Sequence, residues 1–213
     1  LQTIRPLIRN ALNKSDAIIS VCKALKQEMV ELGTPEKKIY VIPNGVDTKK
    51  FYLKDMAKAR AFLGIPESCK IILSVGSLIP RKGFHDLISA IPKVLDRQPG
   101  TLLYILGERP NRYELERLIQ DLHLTDYVFL VGERPHDELI EWYNAADLFC
   151  LASTREGWAN VLMEALACGC PVVATHVYGA PEIVTTQDVG RLVPKARKHF
   201  ARALIDVLSS EWN

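Results

Sequence analysis

Two glutamates, Glu156 and Glu164, stand eight residues apart in the stretch Ser153-Thr-Arg-Glu-Gly-Trp-Ala-Asn-Val-Leu-Met-Glu-Ala-Leu-Ala-Cys-Gly-Cys-Pro-Val-Val-Ala-Thr175. Glu156 sits beside Gly157, while Glu164 lies inside an apolar helical pattern that stops at Gly169. Each oxygen of a carboxylate accepts hydrogen bonds from neighbouring hydroxyls, as on a ribose or a hexose. A helix N-terminus attracts phosphate through unpaired backbone N–H groups and the helix dipole. A loop, a short helix and a strand with two acids at this spacing therefore suit a ligand carrying a phosphate and several hydroxyls. Glu164 falls between Leu162-Met163 and Ala165-Leu166-Ala167, a poor place for a surface acid unless it faces a cleft.

A second segment, Gly76-Ser-Leu-Ile-Pro-Arg-Lys-Gly83, adds the complementary charge. Its glycines allow the backbone to approach a ligand, and Arg81 with Lys82 offers positive charge to a diphosphate. The G-x-G-x-x-G dinucleotide fingerprint is absent, and Gly83 follows the lysine where a P-loop needs Ser or Thr. Trp158 is expected to pack or to form a lid, with stacking on a sugar ring as the alternative. His136 is expected to cap or pack near a helix start rather than to act in catalysis. Without an Asp-x-Asp pair, a carboxylate-held divalent metal has no obvious seat, and no metal site is expected.

These residues need a scaffold, and the hydrophobic pattern supplies one. Strand-like runs at 70–75, 101–106, 127–131, 148–152 and 172–175 alternate with helical patterns at 84–97, 113–123, 137–145 and 160–168, with Pro92 a potential kink in the first helix. Such alternation predicts an α/β protein with a Rossmann-like, doubly wound parallel sheet, which binds ligands at the carboxyl ends of its strands. The loops there would be 76–83, 107–112, 132–136 and 153–160, which hold or adjoin every residue singled out above. The first 45 residues read as a strand at 16–21, a helix at 23–32 and a strand at 39–42 before the turn Pro43-Asn-Gly45. They fit the tail of a preceding domain (1–45), with the sheet domain running from 46 to 213 and a connector over 46–69.

The composition, 48% hydrophobic and 24% charged, is that of an ordinary globular protein. The net charge of +2 favours neither nucleic acid nor an anionic membrane. No apolar run approaches the roughly 20 residues needed to span a bilayer. The five cysteines, at 22, 69, 150, 168 and 170, show no metal-ligand spacing, and Cys150 and Cys168 lie in apolar runs. An odd count with no pairing logic fits a reducing, cytoplasmic compartment, and Cys168-Gly-Cys170 reads as packing rather than redox chemistry. Beginning Leu1-Gln2-Thr3, with neither an initiator Met nor a signal-peptide pattern, the chain reads as a fragment of a longer protein.

Taken together, Ile42-Pro-Asn-Gly-Val-Asp47, Val75-Gly…Arg81-Lys-Gly-Phe84, Leu106-Gly107, Val131-Gly132, Glu156-Gly…Glu164-Ala…Gly169-Cys-Pro-Val-Val-Ala-Thr175, Gly179-Ala-Pro-Glu-Ile-Val184 and Gly190-Arg-Leu-Val193 resemble the retaining glycosyltransferases of family 4. That family has the GT-B fold of two Rossmann-like domains, and the match covers about residues 16–193 in the family's order and spacing. The resemblance implies the nucleotide-sugar-binding C-terminal half, with the tail of the acceptor-binding half attached. It implies that Lys82 contacts the donor diphosphate near Gly76, Glu164 holds the ribose, and Glu156 positions the donor sugar as the residue nearest to catalysis. Backbone groups of Gly157, Trp158, Ala159, Asn160 and Val161 would meet the distal phosphate, and Gly132 to Arg134 would face the base. Two residues depart from the family pattern. Ser77 replaces an arginine, a charge that Arg81 would supply instead, and Trp158-Ala159 replaces Phe-Gly.

The implied activity is retaining, metal-independent transfer of a hexose-type sugar from a UDP- or GDP-sugar, with no cofactor. The implied acceptor is a glycan or lipid-linked sugar, as in polysaccharide or glycolipid biosynthesis, held through the N-terminal domain. A catalytically silent nucleotide-sugar-binding module and a GT-B-type sugar-nucleotide epimerase are the alternatives. The 213-residue chain alone is expected to transfer little. The full-length protein would be cytoplasmic, with peripheral association at the inner membrane face a further option.

Overall fold

The computed structural model describes residues 4–108, 110–195, 197–210 and 212, with Arg197 and Lys198 described by backbone alone. The chain opens with helix α1 (Arg5–Lys14), strand β1 (Ile18–Ser20), helix α2 (Lys23–Glu31) and strand β2 (Ile39–Val41). β1 and β2 pair in parallel, Ile18 opposite Ile39. Helix α1 buries none of its residues, leaving Leu7 and Ile8 exposed together with Ile4 just before it.

The remaining strands are β3 (Lys70–Val75), β4 (Thr101–Leu106), β5 (Val128–Gly132), β6 (Leu148–Leu151), β7 (Val172–Thr175) and β8 (Gly190–Val193). They form one parallel sheet in the order β5-β4-β3-β6-β7-β8. The chain winds outward from β3 to β5, then returns to β6 on the other side of β3. The crevice at the carboxyl ends of β3 and β6 is therefore the switch point where such sheets take ligands.

Alternation along the strands divides the core. Ile71, Leu73, Phe149, Leu151, Val172 and Ala174 face one layer. That layer is built by α3 (Met56–Leu63), α7 (Leu139–Ala145), α8 (Asn160–Ala167) and α9 (Ala180–Ile183). Ile72, Leu103, Ile105, Leu148, Cys150 and Val173 point the opposite way. They pack against α4 (Phe84–Ile88), α5 (Ile91–Leu95), α6 (Arg112–Asp121) and α10 (Arg197–Leu208). Central strand residues such as Ile72 and Leu73 are fully buried, each contributing about 1.5–3 kcal/mol through removal from water. Being covered on both faces, these strands carry continuous apolar runs.

Several boundaries differ from the sequence expectation. The helix expected over 84–97 is two helices, broken at Ser89-Ala90. Pro92 lies in the first turn of α5, where its missing N–H removes no helical hydrogen bond. Helix α6 ends at Asp121, ahead of His123, which has φ 55°. The next helix begins at Leu139, two residues later than expected. The segment read as a connector contains α3, capped by the Asp55 carboxylate accepting from Lys58 N–H and ended by Gly64 at φ 67°. Helices α1 and α10 also lie outside the expected elements.

The connector is fastened along its length. Phe51 is buried in the core, and the Asn144 side chain accepts from Lys54 N–H (2.6 Å) and donates to Tyr52 C=O (3.1 Å). Arg60, also buried, donates to Ala145 C=O (2.9 Å) and to the Asp147 carboxylate (2.6 Å), whose Oδ2 also accepts from Ile71 N–H. The N-terminal elements touch the sheet unit at fewer points. Glu182 accepts from Lys23 N–H at the start of α2 (2.7 Å), and Tyr178 donates to Glu28 (2.8 Å). Among the described residues, no helix is long and apolar enough to cross a membrane.

Candidate functional site

The candidate residues converge on the carboxyl ends of β3, β5 and β6. Gly76 follows β3 with φ 154°, and a Cβ there would lie 3.2 Å from Lys82 Cε. Gly83 (φ 71°) closes the loop, with the space for a Cβ filled by Ala152 C=O, 2.0 Å away. Glycine at both positions lets the 76–83 loop fold back on the end of β6, and Thr154 N–H donates to Arg81 C=O (2.7 Å). This clamp brings the basic loop to the acidic one. Lys82 Nζ donates to Glu156 Oε2 at 3.0 Å, with the two side chains only 14% and 16% exposed. Arg81 is exposed, and among the described residues its side chain has no hydrogen-bond or ionic partner.

Beside this pair lies a cleft of about 570 Å³, lined by Gly76, Ser77, Gly107, Glu108, Glu133 and Arg134 among others. Gly132, at the end of β5 with φ 92°, accepts from Gly107 N–H (2.9 Å) and so joins the second and third loops. Arg134 is held near Glu138 at 3.5 Å. Gly76 and Arg134 thus share one cleft, whereas Lys82, Glu156 and Glu164 do not line it.

The loop before α8 supplies backbone donors. Ala159 is the buried N-cap of that helix and Asn160 its first residue, and no side chain caps the helix. Asn160 Oδ1 accepts from Asn44 Nδ2 (3.2 Å), which ties the linker to this end of the helix. Val161 packs against the core. Gly157 lies against Val21 and Leu25 and accepts from Gly179 N–H (3.2 Å). Trp158 is half-buried against the core, in keeping with a packing role, and its indole N–H is buried without a partner among the described residues.

Glu164 is buried, with only 8% of its surface exposed, so it is not a solvated surface acid. Its Oε2 accepts from the Tyr143 hydroxyl (2.8 Å), and its Oε1 lies 3.0 Å from His136 Nε2. His136 Nδ1 faces Lys50 Nζ at 2.9 Å. An ammonium group only donates, so Nδ1 accepts and Nε2 carries the hydrogen toward Glu164. Lys50 is also ion-paired with Asp137, and Phe51 stands edge-on to both His136 and Tyr143. Burial, then the neighbouring carboxylate, hold the Tyr143 phenol well above its ordinary pKa and keep it a donor. His136 is therefore a bridge between the linker and Glu164, not a helix cap. Tyr143 and Lys50 escaped the sequence reading, because a tyrosine at helical spacing reads as core and a linker lysine as solvated.

Cys150, Cys168 and Cys170 are buried free thiols, as their apolar settings imply. Burial pushes the Cys168 pKa up to about 12 and raises that of Cys170, which removes the thiolate character that redox chemistry requires. Among the described residues, no group of three or more His, Cys, Asp or Glu is placed to hold a metal ion.

Comparison with known proteins bears on the family and the fold. The chain is 32% identical over 190 residues to N-acetyl-alpha-D-glucosaminyl L-malate synthase of Bacillus anthracis, covering 89% of this chain and 49% of that protein. It is 32% identical over 202 residues to the GDP-mannose-dependent alpha-(1-6)-phosphatidylinositol monomannoside mannosyltransferase of Mycolicibacterium smegmatis, covering 91% and 53%. The structure of Anabaena HepE in complex with UDP and glucose superposes with a TM-score of 0.87 at 26% identity, over 98% of this chain and 58% of that one. The chain thus spans about half the length of the curated relatives it matches. The family model for glycosyl transferases group 1 matches residues 55–213, and that for Glycosyltransferase Family 4 matches residues 1–50. With its parallel six-stranded sheet of GT-B type, the chain belongs to the group 1 glycosyltransferases.

Proposed function

We propose that residues 46–213 form the donor domain of a retaining, metal-independent hexosyltransferase and that residues 1–45 are the end of its acceptor-binding half. The observation that carries the reading is the Lys82–Glu156 pair, fixed beside Gly76 and the uncapped start of α8. A lysine with three donors can keep one on Glu156 and turn others to a diphosphate. The free N–H groups at the start of α8 offer the distal phosphate a second anchor. Arg81 and Lys82 supply the countercharge that a divalent ion would otherwise bring. The cleft lined by Glu133 and Arg134 takes the base, Glu164 the ribose hydroxyls, and Glu156 the donor sugar.

In this reading the acceptor oxygen bonds to the anomeric carbon on the face from which the nucleoside diphosphate departs. The acceptor's proton passes to the leaving phosphate. Glu156 orients the sugar and forms no covalent bond to it. The donor is a UDP- or GDP-hexose, and the acceptor is a glycan or lipid-linked sugar.

Calorimetric titration of UDP and GDP in EDTA, then in magnesium or manganese, tests the reading. Micromolar to millimolar binding of one nucleotide is expected, with affinities in the two buffers agreeing within about threefold. An affinity more than about tenfold tighter with metal, roughly 1.4 kcal/mol, would defeat the metal-independent assignment. Product analysis with and without an acceptor separates transfer from epimerisation and from simple binding.

A further inference from the structure

Glu164 is held by two donors, one of them backed by a third residue. Tyr143 reaches it from α7, His136 from the loop after β5, and Lys50 acts behind His136 from the linker. The Glu164 side chain is 10% exposed and that of His136 56%, so the imidazole is the solvent-facing member of the group. Each carboxylate oxygen accepts one hydrogen bond from the protein and retains capacity for another. A carboxylate fixed at both oxygens by donors on separate elements is oriented before any ligand arrives, which lowers the cost of binding a diol.

We propose that Tyr143 and His136 are the positioning residues for a ribose-binding carboxylate, and that Lys50 selects the His136 tautomer that donates to it. The proposal rests on the reading of Glu164 as the ribose ligand. Phe51 supports it sterically, since its edge contacts with His136 (5.1 Å) and Tyr143 (5.9 Å) place both donors against one buried ring of the linker. Affinity for the ribose would thereby depend on linker residues that touch no part of the nucleotide.

The test measures Kd for UDP, 2′-deoxy-UDP, GDP and 2′-deoxy-GDP on the parent chain and four variants, with a melting temperature for each. Tyr143→Phe should weaken the better-bound ribonucleotide about tenfold, as expected for loss of a hydrogen bond to a charged group. It should change the 2′-deoxy counterpart by less than about twofold. His136→Ala should show the same ribose-selective loss. His136→Gln, whose amide places an N–H near the position of Nε2, should recover most of it. Equal losses for ribo and deoxy ligands, or no recovery in His136→Gln, would overturn the proposal. Glu164→Gln locates the failure. If it separates ribo from deoxy while Tyr143→Phe and His136→Ala do not, the positioning claim alone falls. If Glu164→Gln also fails to separate them, the ribose assignment falls with it. Should Tyr143→Phe not fold, the exposed His136 pair decides the matter.

Discussion

Substituting Lys82 by alanine tests the central contact of the site in two ways at once. At 3.0 Å and an effective dielectric of about 20, the gross attraction between Lys82 and Glu156 is about 5–6 kcal/mol. Most of this is offset by the cost of taking both groups out of water. A charge-assisted hydrogen bond between side chains that are still about one-seventh exposed nets about 1.5–3 kcal/mol. Lys82→Ala should therefore lower the melting temperature by about 3–12 °C, at roughly 2–4 °C per kcal/mol for a chain of this size. If Lys82 also meets the diphosphate, the variant should bind UDP or GDP roughly 10- to 150-fold more weakly while the bare nucleoside is unaffected. Glu156→Gln should behave in the opposite sense, removing a negative charge beside the phosphates and tightening the nucleoside diphosphate by a few-fold. Calorimetry of both variants against nucleoside and nucleoside diphosphate provides the comparison. The reasoning is refuted if Glu156→Gln weakens the diphosphate as much as Lys82→Ala does, since the pair would then be a structural unit and nothing more.

Gly83→Ala should cost about 3 kcal/mol or more, combining a left-handed backbone with a Cβ driven into Ala152 C=O. Gly100→Ala, also left-handed at φ 81° but facing open space, should cost only about 1–2 kcal/mol, and paired thermal melts read the difference. Cys168 has a folded-state pKa raised from 9.0 to about 12, so its contribution is fully present below pH 9 and is lost as pH rises from 9 through 12. Cys168→Ala should consequently flatten the alkaline fall in stability, measured by urea melts from pH 8 to 11; an unchanged slope would remove the thiol from the account.

The strands at 70–75, 101–106 and 127–131 were legible because their apolar runs end at glycines, and the two acids because one precedes a short helix and the other lies within its apolar run. Pro92 was read as a potential kink; the helix breaks outright at Ser89-Ala90, because Pro92 cannot donate to Ile88 C=O, and Pro92 then sits in the first turn of the next helix. Helix α3 was hidden in a segment with mixed polarity, where Asp55 and Gly64 are local caps that become evident only once the helix is known. The holding of Glu164 was invisible for a different reason. Its partners lie 21 and 28 residues away, and Lys50 lies 86 residues from His136, so only the folded chain brings them together.

The fastening of the connector also locates the neck of the molecule. Phe51 is packed in the core, Tyr52 and Lys54 are bonded to Asn144, and Arg60 is locked to Asp147, so everything from Phe51 onward travels with the six-stranded sheet. Ile42 N–H, by contrast, still bonds to Ser20 C=O in the two-stranded unit. Between these anchors run residues 43–50, where Asn44 bonds to Asn160, Val46 packs on the core, and Gly45 has no atom within 4 Å of where a side chain would start. A chimera joined at residue 55, where the group 1 match begins, would sever the Phe51 and Asn144 fastenings. A chimera joined at 43–45 would carry them across whole, together with the lysine that stands behind His136.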